Sequence, residues 1–287
     1  MMRFQKILFP VDFSTASKAM APHVREMARL CTAEVAVLHS FDFVRGYNLA
    51  SRLDPTYAPA PLPVPYMSSV ARLREQAEGQ LQTFAREEFP GVQYRTIMGD
   101  GDPATVIEEV AQRDGIDLIM MPTSGAGTFR RLLLGSATAK ILHDVRCAVF
   151  TTIHESEAVA QERVSFRAIV CAVDLNEDAE AILRTAGVFA QACGARLSIL
   201  HMTDRGPLKS GESADGLALE ALARKSGAAG AARILHEDVV EGIRRAAIEE
   251  SADLVIVGRG HDRGTISRLW SDLYRIVRES PCPVLSV

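Results

Sequence analysis

The chain contains two copies of one structural unit, and this duplication restricts its possible folds more than any other feature. Four segments match between the copies: 7–14 with 169–176, 33–42 with 195–204, 117–121 with 253–257, and 147–150 with 282–285. The first two pairs share an offset of 162 residues, whereas the last two are offset by 136 and 135, so the first copy carries an insertion. Only two repeats at so long a period indicate a duplicated domain rather than a solenoid.

Each copy alternates short β-rich runs with amphipathic stretches, which predicts a parallel sheet covered by helices on both faces. Strands are predicted near 5–10, 34–40, 93–98, 117–121 and 147–152, and again near 167–173, 196–202, 232–235, 253–257 and 283–287. Helices of the first copy are predicted near 15–31, 68–88, 103–114 and 136–144. The sequence therefore predicts an α/β protein with two tandem open five-stranded parallel sheets, joined by right-handed crossovers. The expected domains are 1–152 and 165–287, with a polar linker at 153–164.

Composition excludes several classes of function. The net charge of −4 argues against a broad nucleic-acid surface. No stretch has the roughly 18 to 20 apolar residues of a membrane helix, and the N-terminus has no signal-length apolar region, so we expect a cytoplasmic protein without a membrane partner. The five cysteines are scattered without a Cys-x-x-Cys pair, which argues against a disulfide framework or a zinc site.

A glycine-rich loop at residues 125–136 lies between the apolar run 117–121 and the helical segment 137–143. A strand, a glycine-rich loop and a helix start together predict a phosphate site, because the backbone can approach the anion and free N–H groups point at it. Arg130 and Arg131 supply candidate counter-charge. The loop is neither a Walker loop nor the dinucleotide fingerprint, since the lysine and the glycine spacing are missing.

Several further segments carry a resemblance to a known family. They are Pro10-Val-Asp-Phe-Ser14, Leu38-His-Ser40, Gly101-Asp-Pro-Ala104, Asp117-Leu-Ile-Met-Met121, the loop 125–136 and Cys147-Ala-Val-Phe150. With these segments the chain resembles the universal stress protein family, as a tandem two-domain member, over nearly its whole length. The resemblance implies a Rossmann-like fold of the adenine nucleotide alpha hydrolase type, with ATP at the carboxyl ends of the strands.

The family's nucleotide motif is Gly, two residues, Gly, nine residues, Gly, then Ser or Thr. Gly125, Gly135 and Ser136 fit this spacing, whereas Pro122 stands at the first glycine position. Proline removes one N–H, which either costs a ligand contact or only stiffens the strand exit.

The resemblance implies binding roles for residues of the first copy and a divalent ion such as Mg²⁺ on the phosphates. The implied ligand-binding residues are Pro10, Val11 and Asp12 at the adenosine end, Ser40, Met98 and Gly99 around the base, and Gly125, Arg130, Arg131, Gly135 and Ser136 at the phosphates. It implies no protein-built metal site and no catalytic residue.

Several of these residues also have a purely structural interpretation. Asp12 is a candidate helix cap together with Ser14, and Ser136 is a candidate cap of the helix that follows it. Asp102 is a plausible N-cap, with Pro103 in the first helical turn. His39 ends an apolar strand and is expected to be a packed histidine rather than a catalytic one.

The second copy has lost the motif. Gly258 stands at its first position, but Gly260 comes one residue too early, and Trp270 aligns with Gly135, where a bulky indole at a turn would block a phosphate. Glu237 replaces Gly101 and is expected to bring negative charge to the site. We therefore expect no ATP in the second copy. Its arginines are predicted on the solvated surface or at another anion: Arg259, Arg263 and Arg268.

Three functions are consistent with the sequence. The first is a cytoplasmic protein of stress response or signalling that binds ATP in its first domain, with the last strands of the two domains paired and a homodimer possible. The second is a scaffold of the same fold without a nucleotide, which Pro122 favours. The third is a slow ATPase, although no nucleophile and base pair is evident. The proline-rich segment 41–65 is interpreted as a lid, a mobile loop or a surface insertion.

Overall fold

The protein is described from a computed structural model, which covers residues 4–42, 64–123, 135–152, 164–203, 214–259 and 266–287. The strands are β1 (Lys6–Pro10), β2 (Glu34–Phe41), β3 (Tyr94–Asp100), β4 (Leu118–Pro122), β5 (Ala148–Thr152), β6 (Ala168–Ala172), β7 (Arg196–Met202), β8 (Ala231–Leu235), β9 (Leu254–Val257) and β10 (Val284–Ser286). The helices are α1 (Thr15–Cys31), α2 (Val64–Glu88), α3 (Pro103–Asp114), α4 (Ser136–Asp144), α5 (Ala179–Cys193), α6 (Ala214–Lys225), α7 (Val239–Glu249) and α8 (Ile266–Glu279).

The ten strands form one sheet in the order β3-β2-β1-β4-β5-β10-β9-β6-β7-β8. All neighbours are parallel except β5 and β10, which pair antiparallel at the centre with Leu285 opposite Phe150. The predicted pairing of the last strands is thus present, and it joins the two five-stranded sheets into one. Because β5 and β10 cover each other, neither is left as an open edge.

Helices cover both faces of the sheet and bury two apolar layers. One layer contains α1, α2, α5 and α6, and it crosses from the first half (residues 4–152) into the second (164–287). Phe166 bridges the halves there, because its ring packs at right angles to Phe150, at 6.3 Å, and Phe189, at 5.2 Å. The other layer lies under α3, α4, α7 and α8. Each sheet face is apolar, as expected for parallel strands buried on both sides.

Local sequence explains where the helices begin. Ser14 caps α1 by accepting a hydrogen bond from the Ser17 N–H at 3.2 Å. Asp102 caps α3 in the same way through Thr105, and Pro103 occupies the first turn, so both predictions for this segment are confirmed. The helix α3 ends at Gly115, whose φ of +62° is in the left-handed region that glycine adopts without strain.

The predicted fold class is confirmed: the strands of each half are parallel, and the two halves meet antiparallel. One helix boundary differs from the prediction. The helix α2 begins at Val64 rather than near 68, so Pro65 lies in its first turn, where a proline costs no hydrogen bond. Most of the proline-rich segment, residues 43–63, and most of the predicted linker, 153–163, lie outside the described residues.

Candidate functional site

The sheet order places a topological switch point between β1 and β4. The chain leaves β1 toward β2 on one side, whereas β4 and β5 lie on the other, and such crevices at the carboxyl ends of strands are where open α/β sheets bind ligands. The predicted residues Pro10, Val11 and Asp12 follow or end β1, and Ser40, Met98 and Gly99 lie near the ends of β2 and β3. Gly125, Arg130 and Arg131 lie outside the described residues.

The exit of β1 is fixed by its neighbours. The Val11 N–H donates to the Leu38 carbonyl at 2.7 Å, and its own carbonyl lies 2.8 Å from Nδ1 of His39. The His39 ring also stacks on Phe13, with ring centroids 4.5 Å apart. His39 is thus a packed histidine, as expected, and it positions the residues next to Asp12.

The Asp12 carboxylate is used by the start of α1. Its Oδ1 accepts from the Ser14 N–H at 3.0 Å and from the Ser17 hydroxyl at 2.7 Å, although the residue is solvent-exposed. Phe13 has φ of +60°, a strained conformation for a bulky residue that is concentrated at functional sites. The structural interpretation of Asp12 therefore holds, and an exposed carboxylate at the rim of the cleft remains compatible with a ligand contact.

The ends of β2 and β3 bring Ser40 beside Gly99, which are opposite each other in the strand register. The Ser40 hydroxyl donates to the Gly101 carbonyl at 2.6 Å. At Gly99 a side chain has no room, because a Cβ would lie 2.3 Å from a methyl carbon of Val106 on α3. The half-buried Met98 is opposite His39. Packing against Val106 therefore explains the glycine at position 99, whether or not this residue also contacts an adenine base.

The exit of β4 holds the start of α4. The Gly135 N–H donates to the Thr123 carbonyl at 2.8 Å, and the Thr138 hydroxyl donates to the Pro122 carbonyl at 3.2 Å. Gly135 is the N-cap and provides no side-chain bond, while Ser136 is the first helical residue, so the prediction that Ser136 caps the helix is wrong. The N–H groups of this first turn are left without a side-chain cap, which is the arrangement that binds anions.

Pro122 does not interrupt the pairing of β4 with β5. It is opposite Thr152, and the next donor along the chain, the Thr123 N–H, reaches the Thr152 carbonyl at 3.1 Å. Backbone groups of successive strand residues point to opposite sides, so the N–H that proline lacks would face β1 and the cleft. The proline therefore removes one potential ligand donor without weakening the sheet.

A lysine that sequence reasoning missed links α4 to α3. The Lys140 ammonium lies 3.3 Å from the Thr105 hydroxyl and 4.0 Å from the Asp102 carboxylate. In the second half, Arg275 of α8 lies 3.5 Å from the N-cap Asp238 of α7. Lys140 aligns with Arg275, and Asp102 aligns with Asp238, when the two halves are superimposed in sequence. This repeated pairing of a basic residue with a capping aspartate could therefore have been found from the sequence.

The second half has the same strand exits but a different helix start. His201 approaches the Val173 carbonyl at 3.0 Å, as His39 approaches Val11. The helix α8 begins at Ile266, so Trp270, which aligns with Gly135, lies inside a helix and not at a turn, contrary to our expectation. The backbone N–H groups available at the start of α4 are therefore not available at the aligned residues of α8.

A cavity of the second half lies at the carboxyl ends of β6, β7 and β9. Its walls are mostly apolar, and its polar rim contains Asp174, Asn176, Asp178 and Asp272. Asp272 aligns with Ala137 of α4. Carboxylates at this rim repel a phosphate, so the cavity favours no ligand of the family's kind.

Two expectations for charged residues of the second half are wrong. The Glu237 carboxylate pairs with Arg245 of α7, so the negative charge expected from this residue is compensated. Arg259 is not on the solvated surface: it is only 4% exposed and contacts backbone carbonyls of the first half. Arg263 and the side chain of Arg268 lie outside the described residues.

The thiols of the five cysteines, three of them buried and two half-buried, have raised pKa values. Burial raises the pKa of the Cys31 and Cys171 thiols to about 12, and that of Cys147, Cys193 and Cys282 to about 11. A thiol needs a lowered pKa to react readily. Within the described part of the chain, no three His, Cys, Asp or Glu side chains are grouped to hold a metal ion. None of the described helices combines the length and apolar character needed to cross a membrane.

Comparisons with known proteins agree on one family. The model of the Universal stress protein family matches residues 3–152 and 165–287. A universal stress protein of Methanocaldococcus jannaschii is 30% identical over 148 residues, or 51% of this chain and 80% of the relative. Another from the same organism is 27% identical over 143 residues, covering 48% and 88%. The crystal structure of a universal stress protein from Archaeoglobus fulgidus has the same fold, with a TM-score of 0.71 at 21% identity over 98% of this chain and 95% of the other.

Proposed function

The chain belongs to the universal stress protein family, and on that premise we propose that its first half binds ATP at the carboxyl ends of β1, β2 and β4. The observation that carries the proposal is the start of α4. Gly135 is the N-cap of a helix whose first-turn N–H groups have no side-chain cap, and nine residues separate it from Gly125, as the family's nucleotide motif requires.

Each end of the ligand has candidate partners. Gly125, Gly135 and Ser136 hold the phosphates, with Arg130 and Arg131 as counter-charge and a divalent ion such as Mg²⁺ among the phosphate oxygens. The exposed carboxylate of Asp12, next to Pro10 and Val11, accepts hydrogen bonds from the ribose, and Ser40, Met98 and Gly99 surround the base. These roles follow the family pattern and the common position of the described residues at one edge of the sheet.

The second half has a structural or regulatory role in this proposal and takes no ATP. Its helix α8 runs through the residues aligned with Gly135 and Ser136, and Asp272 stands where the first half has Ala137. We propose that the whole chain acts in the cytoplasm in stress response or signalling, where the bound nucleotide, rather than its hydrolysis, determines the state of the protein.

Calorimetric titration of ATP and of adenosine into the intact chain and a Gly135→Trp variant tests the site. The backbone at Gly135 has φ of −60° and ψ of 145°, which tryptophan can adopt, so the variant is expected to fold. The indole should block the approach of phosphates and weaken ATP binding at least tenfold. Gly79→Trp, on the exposed face of α2 with open space around it, is the matched control and should bind as the intact chain does.

Two results would count against the proposal in different ways. An intact chain without measurable ATP affinity would refute nucleotide binding and favour the scaffold function, for which the missing N–H of Pro122 is the supporting observation. Equal ATP affinity in the Gly135→Trp variant and the intact chain would refute the site but not the ligand.

A further inference from the structure

The turn between the last helix and the last strand is built differently in the two halves. In the second half, the Ser280 hydroxyl donates to the Cys282 carbonyl at 2.7 Å and accepts from the Cys282 N–H at 3.4 Å. The serine side chain therefore satisfies the backbone N–H and carbonyl of Cys282 within the turn. In the first half the aligned residue is Val145, which has no hydroxyl. Buried backbone groups need hydrogen-bond partners, so this turn depends on another segment.

That partner is Arg259 of the second half. Its guanidinium donates from Nη1 to the Val145 carbonyl at 2.9 Å and from Nη2 to the Cys147 carbonyl. The residue is 4% exposed, and its N–H donates to the Val287 carbonyl at 3.1 Å, which fixes its backbone to β10. Nε is buried without a partner, and no carboxylate pairs with the guanidinium among the described residues. Burial lowers the pKa of Arg259 from its usual value, but arginine stays protonated in proteins.

The position of this contact relates it to the nucleotide site. Val145 is the C-cap of α4, and Gly135 is the N-cap of the same helix. A nine-residue helix is about 13 Å long and rigid over that length, so fixing one end restricts the other. A positive charge at a helix C-terminus is also favourable for the helix dipole. Residues of the first half hold the N-terminal end of α4 through Gly135 and Thr138. Arg259 of the second half holds the residues at and just beyond its C-terminal end.

We propose that Arg259 is a positioning residue of the nucleotide site: by holding the Val145 and Cys147 carbonyls, it fixes the α4 helix and so the backbone groups that bind the phosphates. This inference rests on the proposed function. It gives the second half, which has lost the nucleotide motif, a defined role, because the phosphate affinity of the first half depends on a side chain of the second.

The test compares Arg259→Met with Arg146→Met in the full-length chain. Arg146 is an exposed arginine in the same turn, so it controls for the loss of a positive charge there. We expect Arg259→Met to bind ATP about tenfold more weakly, equivalent to about 1.4 kcal/mol, and adenosine within twofold of the intact chain. A general loss of stability does not separate the two ligands, whereas a displaced α4 does, because in the proposed site only the phosphates contact this helix. Arg146→Met should bind both ligands as the intact chain does.

A second variant keeps the test valid if Arg259→Met folds poorly. Val145→Ser in the Arg259→Met background gives Cys147 the serine partner that Cys282 has in the second half, and it should restore ATP affinity to within threefold of the intact chain. Arg259→Lys keeps the charge but not the two-pronged geometry, and its ATP affinity should fall by an intermediate factor.

Hydrogen exchange separates this inference from the proposed function. Without any nucleotide, the amides of α4 should exchange at least tenfold faster in Arg259→Met than in Arg146→Met, while those of α3 stay unchanged. If the intact chain binds no ATP, the proposed function fails, and the hydrogen-exchange rates of the α4 amides alone then test the role of Arg259. Unchanged exchange, or ATP affinity equal to that of the intact chain in both Arg259→Met and Arg259→Lys, overturns the inference.

Discussion

The imidazole Nδ1 of His39 lies 2.8 Å from the carbonyl oxygen of Val11, so the end of β2 holds the exit of β1. The second half repeats the contact between His201 and Val173 at 3.0 Å. A histidine therefore holds the residues that follow the first strand in both halves, including the half that lacks the nucleotide motif. Its role is to keep the residues after β1 in place.

Replacing His39 with phenylalanine should keep the stacking on Phe13 and remove this contact. We expect the free energy of unfolding to fall by about 1 kcal/mol, the usual contribution of one hydrogen bond, as measured by urea denaturation. His201→Phe should give a similar loss, but only His39→Phe should also weaken ATP binding. A nucleotide affinity lowered equally by both variants would contradict the assignment of the site to the first half.

Gly99 is predicted to tolerate no side chain. A Cβ there would lie 2.3 Å from Val106, so Gly99→Ala forces α3 to shift and should cost about 1 to 3 kcal/mol. Gly79→Ala, in the exposed middle of α2 with open space around it, should instead stabilise the protein by about 0.5 to 1 kcal/mol. Thermal unfolding of both variants checks the pair. If Val106→Ala does not reduce the cost of Gly99→Ala in the double variant, steric overlap is not its cause.

Asp114 at the end of α3 predicts a dependence of stability on acid pH. Hydrogen bonds from Arg113 and Arg95 lower the pKa of its carboxyl to about 2. Because the folded-state pKa lies below the unfolded value near 3.8, the stabilisation is present above about pH 4 and is lost as the pH falls toward 2. Asp114→Asn should cost about 1 kcal/mol at pH 7 after solvent screening. The difference in melting temperature from the intact chain should narrow below pH 4, and a constant difference would argue against a titrating carboxylate.

Much of the fold follows from local patterns in the sequence. The alternation of β-rich and amphipathic runs located the strands and helices in the described part of the first half to within a few residues, because each element is fixed by its own burial pattern. The resemblance to the family, in which the fifth strands commonly pair, predicted the pairing of β5 with β10. The positions of Asp12, Ser40 and Gly135 at one edge followed from the parallel arrangement, since the carboxyl ends of parallel strands share an edge.

The features that the sequence did not predict depend on distant contacts. Arg259 stands between two glycines and has the pattern of a surface loop, yet its partners are carbonyls more than 100 residues away in the other half. The early start of α8 was missed because alignment to Gly135 suggested a turn at Trp270, whereas the apolar spacing from Ile266 onward continues the helix. The compensation of the Glu237 charge was missed because its partner Arg245 lies eight residues further along the chain.

The difference between the two helix starts gives a final prediction. Ala137 in the first turn of α4 aligns with Asp272, which lines the cavity of the second half. Ala137→Asp should therefore transfer the phosphate-repelling character of the second half to the first, and ATP binding should weaken at least tenfold while adenosine binding stays unchanged. An acidic residue in a first helical turn stabilises the helix by about 0.3 to 1 kcal/mol, so the melting temperature should not fall below that of the matched Ala137→Asn control. Loss of affinity without loss of stability would place the phosphates at this helix start, because charge is the only difference between the two variants. Equal ATP affinity in the aspartate and asparagine variants would show that the phosphates bind elsewhere.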